Sequence, residues 1–183
     1  MMRRSLRWAR SGLAAAALIA ASPAAADPHG WDQASNIGRD ALVVAALGVP
    51  AVQGDWAGSL QAGGSILVAG GATYGLKRLF PEERPDQSDR QSFPSGHTAV
   101  SFAAAASLEN RYGWKTGLPA FAVAAFVGVA RVQARKHRWD DVLAGAVLGT
   151  ASGLLMTSKN NSQVQFVPWA DTGGGGIALA ARF

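Results

Sequence analysis

The sequence predicts an all-α domain, a bundle of about five core helices followed by a short C-terminal β-hairpin. Three observations carry this prediction. Apolar stretches recur at about 41–52, 57–76, 98–108, 117–130 and 142–156, and none alternates with the period of two that a half-buried strand requires. Gly145, Gly149 and Gly153 stand four residues apart, lining one helical face with residues small enough for close helix–helix contact. From Gln163 onward, Val164, Phe166, Ile177, Leu179 and Phe183 take strand-like spacing around Asp171-Thr172 and four glycines, which reads as a hairpin.

The N-terminus has its own logic. Arg3, Arg4, Arg7 and Arg10 precede an apolar run, Leu13 to Ala21, and then Ala24-Ala25-Ala26. A positive start, a short apolar stretch and an Ala-x-Ala site predict an export signal over 1–26. The alternative is an uncleaved first helix, although the run is short for one and Pro23 interrupts it. Residues 27–162 then form the helical domain, 27–36 being polar and loop-like, and 163–183 form the tail. At 183 residues there is no room for a second domain. Removing 1–26 takes away four arginines and no acids, so the formal charge falls from +5 to +1. The basic balance therefore belongs to the export signal and does not indicate nucleic-acid binding. The chain contains no cysteine, so packing without disulfides must hold an exported fold.

Charged residues make up 16% of the chain, against roughly 25% in soluble domains, and the expectation is a membrane-embedded bundle. Only 57–76 reaches the ~20 residues that cross a bilayer, which keeps a soluble periplasmic bundle as the alternative. If residue 27 faces outward, five spans leave 77–97 and 131–141 on the periplasmic side, and the hairpin inside the cell.

Three polar clusters sit at the ends of apolar runs: Lys77 to Pro85, Pro94-Ser95-Gly96-His97, and Arg131 to Asp141. Phosphoryl transfer needs positioning and stabilisation of negative charge on peripheral oxygens. Lys77, Arg84 and Arg131 supply cations, the arginines in a fork that matches phosphate. Ser95 and Gly96 precede a helix whose free N–H groups and dipole favour an anion. His137 is the candidate nucleophile, and Asp141, four residues on, shares its helical face and can hold the other ring nitrogen. Asp140 points about 100° away from Asp141. His97 remains as the acid and base for the leaving oxygen and the attacking water.

Taken together, the clusters resemble the signature of the type 2 phosphatidic acid phosphatase superfamily: Lys-x6-Arg-Pro, Pro-Ser-Gly-His, and Ser-Arg-x5-His-x3-Asp. The first two match fully, and the third differs only at Ala130, where the family has serine. The resemblance covers 77–141 directly and about 37–156 more loosely. It implies a vanadium-haloperoxidase-like helical fold and metal-independent hydrolysis through a phosphohistidine. It places Lys77, Arg84, Ser95, Gly96 and Arg131 on the phosphate, with His97 as acid/base, His137 as nucleophile and Asp141 as its partner. Ala130 removes one hydroxyl donor while the charged groups remain.

The leading expectation is hydrolysis of a lipid-linked phosphate or diphosphate at the periplasmic side. The alternatives are a soluble periplasmic acid phosphatase of broad specificity and a catalytically silent membrane protein that binds phosphate or lipid headgroups. Transfer to an acceptor other than water would use the same phosphohistidine. No cofactor is expected. The Cys/His clusters that mark metal sites are missing, and no nucleotide fingerprint or nucleic-acid module is present.

Overall fold

The computed structural model describes residues 27–159 and 164–181, so the expected export segment at 1–26 lies outside the described residues. Among the described residues five helices follow one another: α1 (Pro28–Val52), α2 (Trp56–Leu79), α3 (Gly96–Tyr112), α4 (Trp114–Gln133) and α5 (Trp139–Met156). Their starts obey capping chemistry. Asp27, Asp55 and Ser95 precede α1, α2 and α3 and accept from Gly30 N, Gly58 N and Thr98 N, satisfying donors that a first turn leaves free. Between α3 and α4 a single residue, Gly113, turns the chain at φ 84°, a conformation that favours glycine.

One expectation is overturned here. Residues 27–36 read as a polar loop, yet from Pro28 they form the first turns of α1. They lack an apolar stripe because this end of the helix turns polar side chains toward other polar groups, as described below. The start signal was nonetheless present, since Asp27-Pro28 is an N-cap followed by proline at the first helical position.

The central element is α3, which packs against all four other helices, most extensively α5. Alanines make up half of its buried positions: Ala99, Ala103, Ala104, Ala105 and Ala106 are each 0% exposed. Opposite them lie the three glycines of α5. A Cβ at Gly145 would meet Ser95 O, one at Gly149 would meet Ala99 O, and one at Gly153 would meet Ala106 Cβ and Ala103 O, all inside contact distance. The small-residue face seen in the sequence is therefore a seam where two helix backbones touch. A second core cluster gathers Leu42, Ala46, Ala62, Leu108, Ala120 and Ala124, with Phe102 and Phe121 packed against it.

At the end of the bundle away from the N-terminus of α3, Arg111 is buried and tied to Asp55, Gln61 and Ser158. Its Nε donates to Asp55 Oδ2 (2.7 Å) and its Nη1 to Gln61 Oε1 (3.2 Å) and Ser158 O (3.0 Å). The Tyr112 hydroxyl donates to the same Asp55 Oδ2 (2.7 Å). Large apolar side chains lie outside instead: Leu67 of α2 is 76% exposed, Val147 of α5 71% and Leu155 78%. Such large apolar side chains turned outward form apolar surface on the bundle. Among the described residues, α4 (Trp114–Gln133) is long and apolar enough to cross a membrane; α2, which contains the run 57–76, does not meet that test.

The hairpin forms as expected, with β1 (Val164–Asp171) and β2 (Gly174–Ala181) pairing antiparallel from Val164↔Ala181 to Asp171↔Gly174. Strand β1 packs against α2.

Replacing Gly149 with leucine drives a side chain into the backbone of α3. The expected cost is about 3 kcal/mol or more, read as a large drop in thermal unfolding midpoint in detergent. An unchanged midpoint would mean that the seam is not a packing contact.

Candidate active site

The three polar clusters converge at the end of the bundle where α2 stops and α3 and α5 start. Lys77 lies in the last turn of α2, where a cation suits the negative end of the helix dipole. Gly96 and His97 open α3. Lys77, Gly96 and His97 line one cavity of about 320 Å³. Arg131 lies in the last turn of α4, and His137 follows in the short link to α5. The Arg131 carbonyl accepts from Lys136 N (3.1 Å) and His137 N (3.3 Å), which folds the link back on itself.

The long loop between α2 and α3 is stapled to both sides of this site. Lys77 Nζ donates to Gln91 O and to Ser92 O (3.1 Å). Arg84 Nε pairs with Asp89 Oδ1 (2.7 Å), Lys136 Nζ with Asp86 Oδ2 (2.6 Å), and Asp86 N donates to Arg135 O (3.0 Å). Ser95 is fully buried and its hydroxyl is engaged with Thr98 as the α3 cap (2.9 Å to Oγ1). Its backbone N–H donates to Asp141 O (3.0 Å), tying the start of α3 to the start of α5. Ala130 is buried in α4, directly before Arg131.

His137 and Asp141 lie side by side and both are almost wholly buried. Nδ1 of the ring stands 3.4 Å from Asp141 Oδ2, too long for a well-formed hydrogen bond. That oxygen is already taken by Ser92 Oγ (2.5 Å) and Arg138 N (2.9 Å). His137 Nδ1 and Asp141 Oδ1 both lack a hydrogen-bond partner among the described residues. Two orphaned atoms in one buried pair are complementary, a ring donor and a carboxylate acceptor. Asp140, by contrast, is exposed and faces Arg138 (3.3 Å), in line with its expected separation from Asp141.

Every one of these groups lies outside the five apolar runs, and the charge on each responds to burial among cations. Burial pushes the His97 imidazole down to about 3, helped by Arg131, Arg39, His137 and Arg84. His137 is lowered too, first by burial and then by Arg131, Lys77 and Arg84, although Asp141 works the other way. Both rings are thus neutral at neutral pH, so each keeps a nitrogen lone pair. Burial and the neighbouring Arg84 bring Lys77 down to about 8. Burial alone would raise Asp141, but the adjacent His137 ring and hydrogen bonds from Ser92 and Arg138 N hold it at about 2.

Four further contacts come from α1. Arg131 Nη1 pairs with Asp32 Oδ1 and Ser35 Oγ (3.2 Å), while its buried Nε has no partner among the described residues. His97 Nε2 lies 2.6 Å from Asn36 Oδ1 and 2.7 Å from Arg39 Nη1. Carboxylate oxygens of Glu82, Asp140 and Asp141 also lie within 4.8 Å of one another, and the Arg138 guanidinium contacts Glu82 and Asp140, so that cluster already carries its counter-cation.

The model of the PAP2 superfamily matches residues 58–164, the span that holds all eight candidate residues. The chain belongs to the PAP2 superfamily. It is similar to a lipid A 1-phosphatase of Porphyromonas gingivalis, 36% identical over 93 residues, which are 49% of this chain and 21% of that protein. It is also similar to a lipid A 4'-phosphatase of Helicobacter pylori, 32% identical over 116 residues, which are 57% of this chain and 59% of that one. In both cases the chain spans less than two thirds of its relative. Among solved structures it resembles Aquifex aeolicus LpxE, with a TM-score of 0.62 at 22% identity over 75% of this chain and 88% of that one. A PAP2 type phosphatidylglycerolphosphate phosphatase from Bacillus subtilis gives 0.51 at 24% identity, over 77% and 79%. At such identities the likeness is one of fold, and it bears out the helical bundle expected from the sequence.

Within this PAP2 chain, sequence reasoning missed Ser92 and the α1 residues Asp32, Ser35, Asn36 and Arg39. Ser92 carries no signal beyond standing two residues before Pro94. The α1 residues do carry one, since spacings of three, four and seven put them on one helical face.

If Lys77 holds an anion here, its charge should be lost as pH rises through about 8. Calorimetric affinity for inorganic phosphate is expected to weaken roughly tenfold above that pH, and Lys77→Arg should flatten the profile. A parent whose affinity is level to pH 10 would separate Lys77 from the anion.

Proposed function

We propose that this chain is a metal-independent phosphatase that hydrolyses a lipid-linked phosphate or diphosphate on the periplasmic side, through a phosphohistidine. The observation that supports this best is the buried His137–Asp141 pair lying among Lys77, Arg84 and Arg131, whose charges all act on His137 or Asp141. A neutral imidazole backed by a carboxylate is a nucleophile that can carry positive charge in the intermediate.

In the first step the His137 Nε2 lone pair attacks phosphorus and the bond to the leaving oxygen breaks. Lys77, Arg84 and Arg131 hold the peripheral oxygens, with the N–H groups at the start of α3. The seated anion offsets the surrounding cations, so His97 can carry a proton and give it to the leaving oxygen. In the second step water attacks phosphorus, its proton passes to His97, and the phosphorus–nitrogen bond breaks. Three fixed cations supply the charge stabilisation that a metal ion supplies elsewhere.

The substrate class follows from the cavity and the surface. The cavity joins Lys77, Gly96 and His97 to Gly70, Tyr74 and Val100, leading from the cationic end to less polar residues of α2 and α3. An amphiphile fits that gradient, with its phosphate at the cations and its body along α2. The lipid A phosphatase names of the relatives support the same class, and the outward-facing leucines and valines support a membrane location. The export signal expected at 1–26 supports the periplasmic side.

Purified protein is expected to release phosphate from at least one of lipid A, phosphatidic acid, phosphatidylglycerophosphate or undecaprenyl diphosphate, with chelator present and with inhibition by vanadate. His137→Ala should lower turnover at least a thousandfold, on the order of other lost nucleophiles. Activity that vanishes with chelator and returns only with a divalent ion would overturn the mechanism. A Cβ at Gly70 meets nothing within 4 Å, so Gly70→Leu should fill the cavity without disturbing the fold. KM for a long-chain lipid phosphate should rise at least tenfold while that for a small soluble ester stays within twofold. Equal loss on both substrates would place the lipid body elsewhere.

A further inference from the structure

The family match begins at residue 58, so α1 lies wholly outside it. Yet Asp32, Ser35, Asn36 and Arg39 form one face of α1, and each touches a group assigned above to the reaction. Asp32 and Ser35 hold one edge of the Arg131 guanidinium. Asn36 and Arg39 converge on a single atom, His97 Nε2.

That convergence has a chemical meaning. An arginine N–H can only donate, and an amide oxygen can only accept. One ring nitrogen cannot accept from Arg39 and donate to Asn36 at the same moment. The Arg39 bond therefore belongs to the form of His97 with a lone pair on Nε2, and the Asn36 bond to the form with a proton there. An acid/base group passes through both forms in each turnover. We propose that Asn36 and Arg39 are positioning residues that govern the proton on His97, making the polar face of α1 part of the catalytic apparatus. The inference rests on the acid/base role given to His97 in the proposed function.

Arg39 has little structural reason to sit there. Its side chain is 28% exposed and its other partner is Asp40, which is more exposed still. It also lines the cavity with Lys77 and His97. The charged and titratable groups facing His97 come from every side: Arg39 of α1, Lys77 of α2, Arg84 of the long loop, Arg131 of α4 and His137 of the link. Arg131 acts on the ring more strongly through space, but Arg39 is the cation in hydrogen-bond contact with it.

The test uses the full chain in detergent and follows the imidazole C–H signals by NMR against pH. Only His29, His97 and His137 contribute, and His29→Gln and His97→Gln assign them. The His97 midpoint should lie below pH 4 in the parent, rise by at least one pH unit in Arg39→Gln, and stay low in Arg39→Lys. Asn36→Leu should lower kcat at least tenfold with KM within twofold, and Asn36→Asp should raise the His97 midpoint. A folded Arg39→Gln protein with an unmoved midpoint would overturn the proposal, as would an Asn36→Leu protein with parental kcat. The titration stands apart from turnover: a parent without phosphatase activity but with the Arg39-dependent shift would overturn the proposed function and keep the coupling of Arg39 to His97.

Discussion

Everything at the site depends on how closely α3 and α5 approach each other. With no side chains at Gly145, Gly149 and Gly153, the two backbones touch along three turns. The seam fixes the start of α3 against the start of α5, where Ser95 N donates to Asp141 O. Two helix N-termini then meet at one point, and each brings partial positive charge and unpaired N–H groups. Arg131, in the last turn of α4, and His137, in the link to α5, are carried to the same place. A wider gap between the helices would move the Asp141 carboxylate and the Pro-Ser-Gly-His turn apart together.

Gathering cations without a bound anion is costly, since a buried charge left alone costs several kcal/mol. The molecule offsets them one by one. Asp32 faces Arg131, Asp89 faces Arg84 and Asp86 faces Lys136. Lys77 has two backbone carbonyls in place of a carboxylate, and accordingly its ammonium is the one that burial brings close to neutrality. Each acid leaves part of its partner's donor set unused, as with Arg131 Nε. The site is therefore charge-balanced at rest and still offers donors to an incoming anion.

The candidate constellation was legible in the sequence because its chemistry is local: helix starts, fixed spacings and rare residue types. His137 and Asp141 share a helical offset, and Ser95-Gly96 announces a cap. The glycine seam was equally visible as a four-residue repeat. What escaped was α1. Its first turns read as a loop because an apolar stripe is the usual mark of a helix, and these turns place polar groups where that stripe would be. Contacts spanning 58 to 99 residues in sequence, such as Arg39 to His97 and Asp32 to Arg131, have no signature in one sequence. The use of Ser92 on Asp141 is likewise set by a loop whose path only the fold determines.

The Arg111–Asp55 lock and the candidate site lie at opposite tips of α3, a helix of 17 residues. At 1.5 Å per residue that is about 25 Å, short of the ~30 Å of hydrocarbon in a typical bilayer. In the membrane location proposed above, a bundle with polar groups pinned at both faces and too little height between them would draw the surrounding leaflets inward. Headgroups beside the protein would then sink toward the level of Lys77 and Arg84. A lipid phosphate could meet its cations sideways, without being lifted out of the leaflet that holds it.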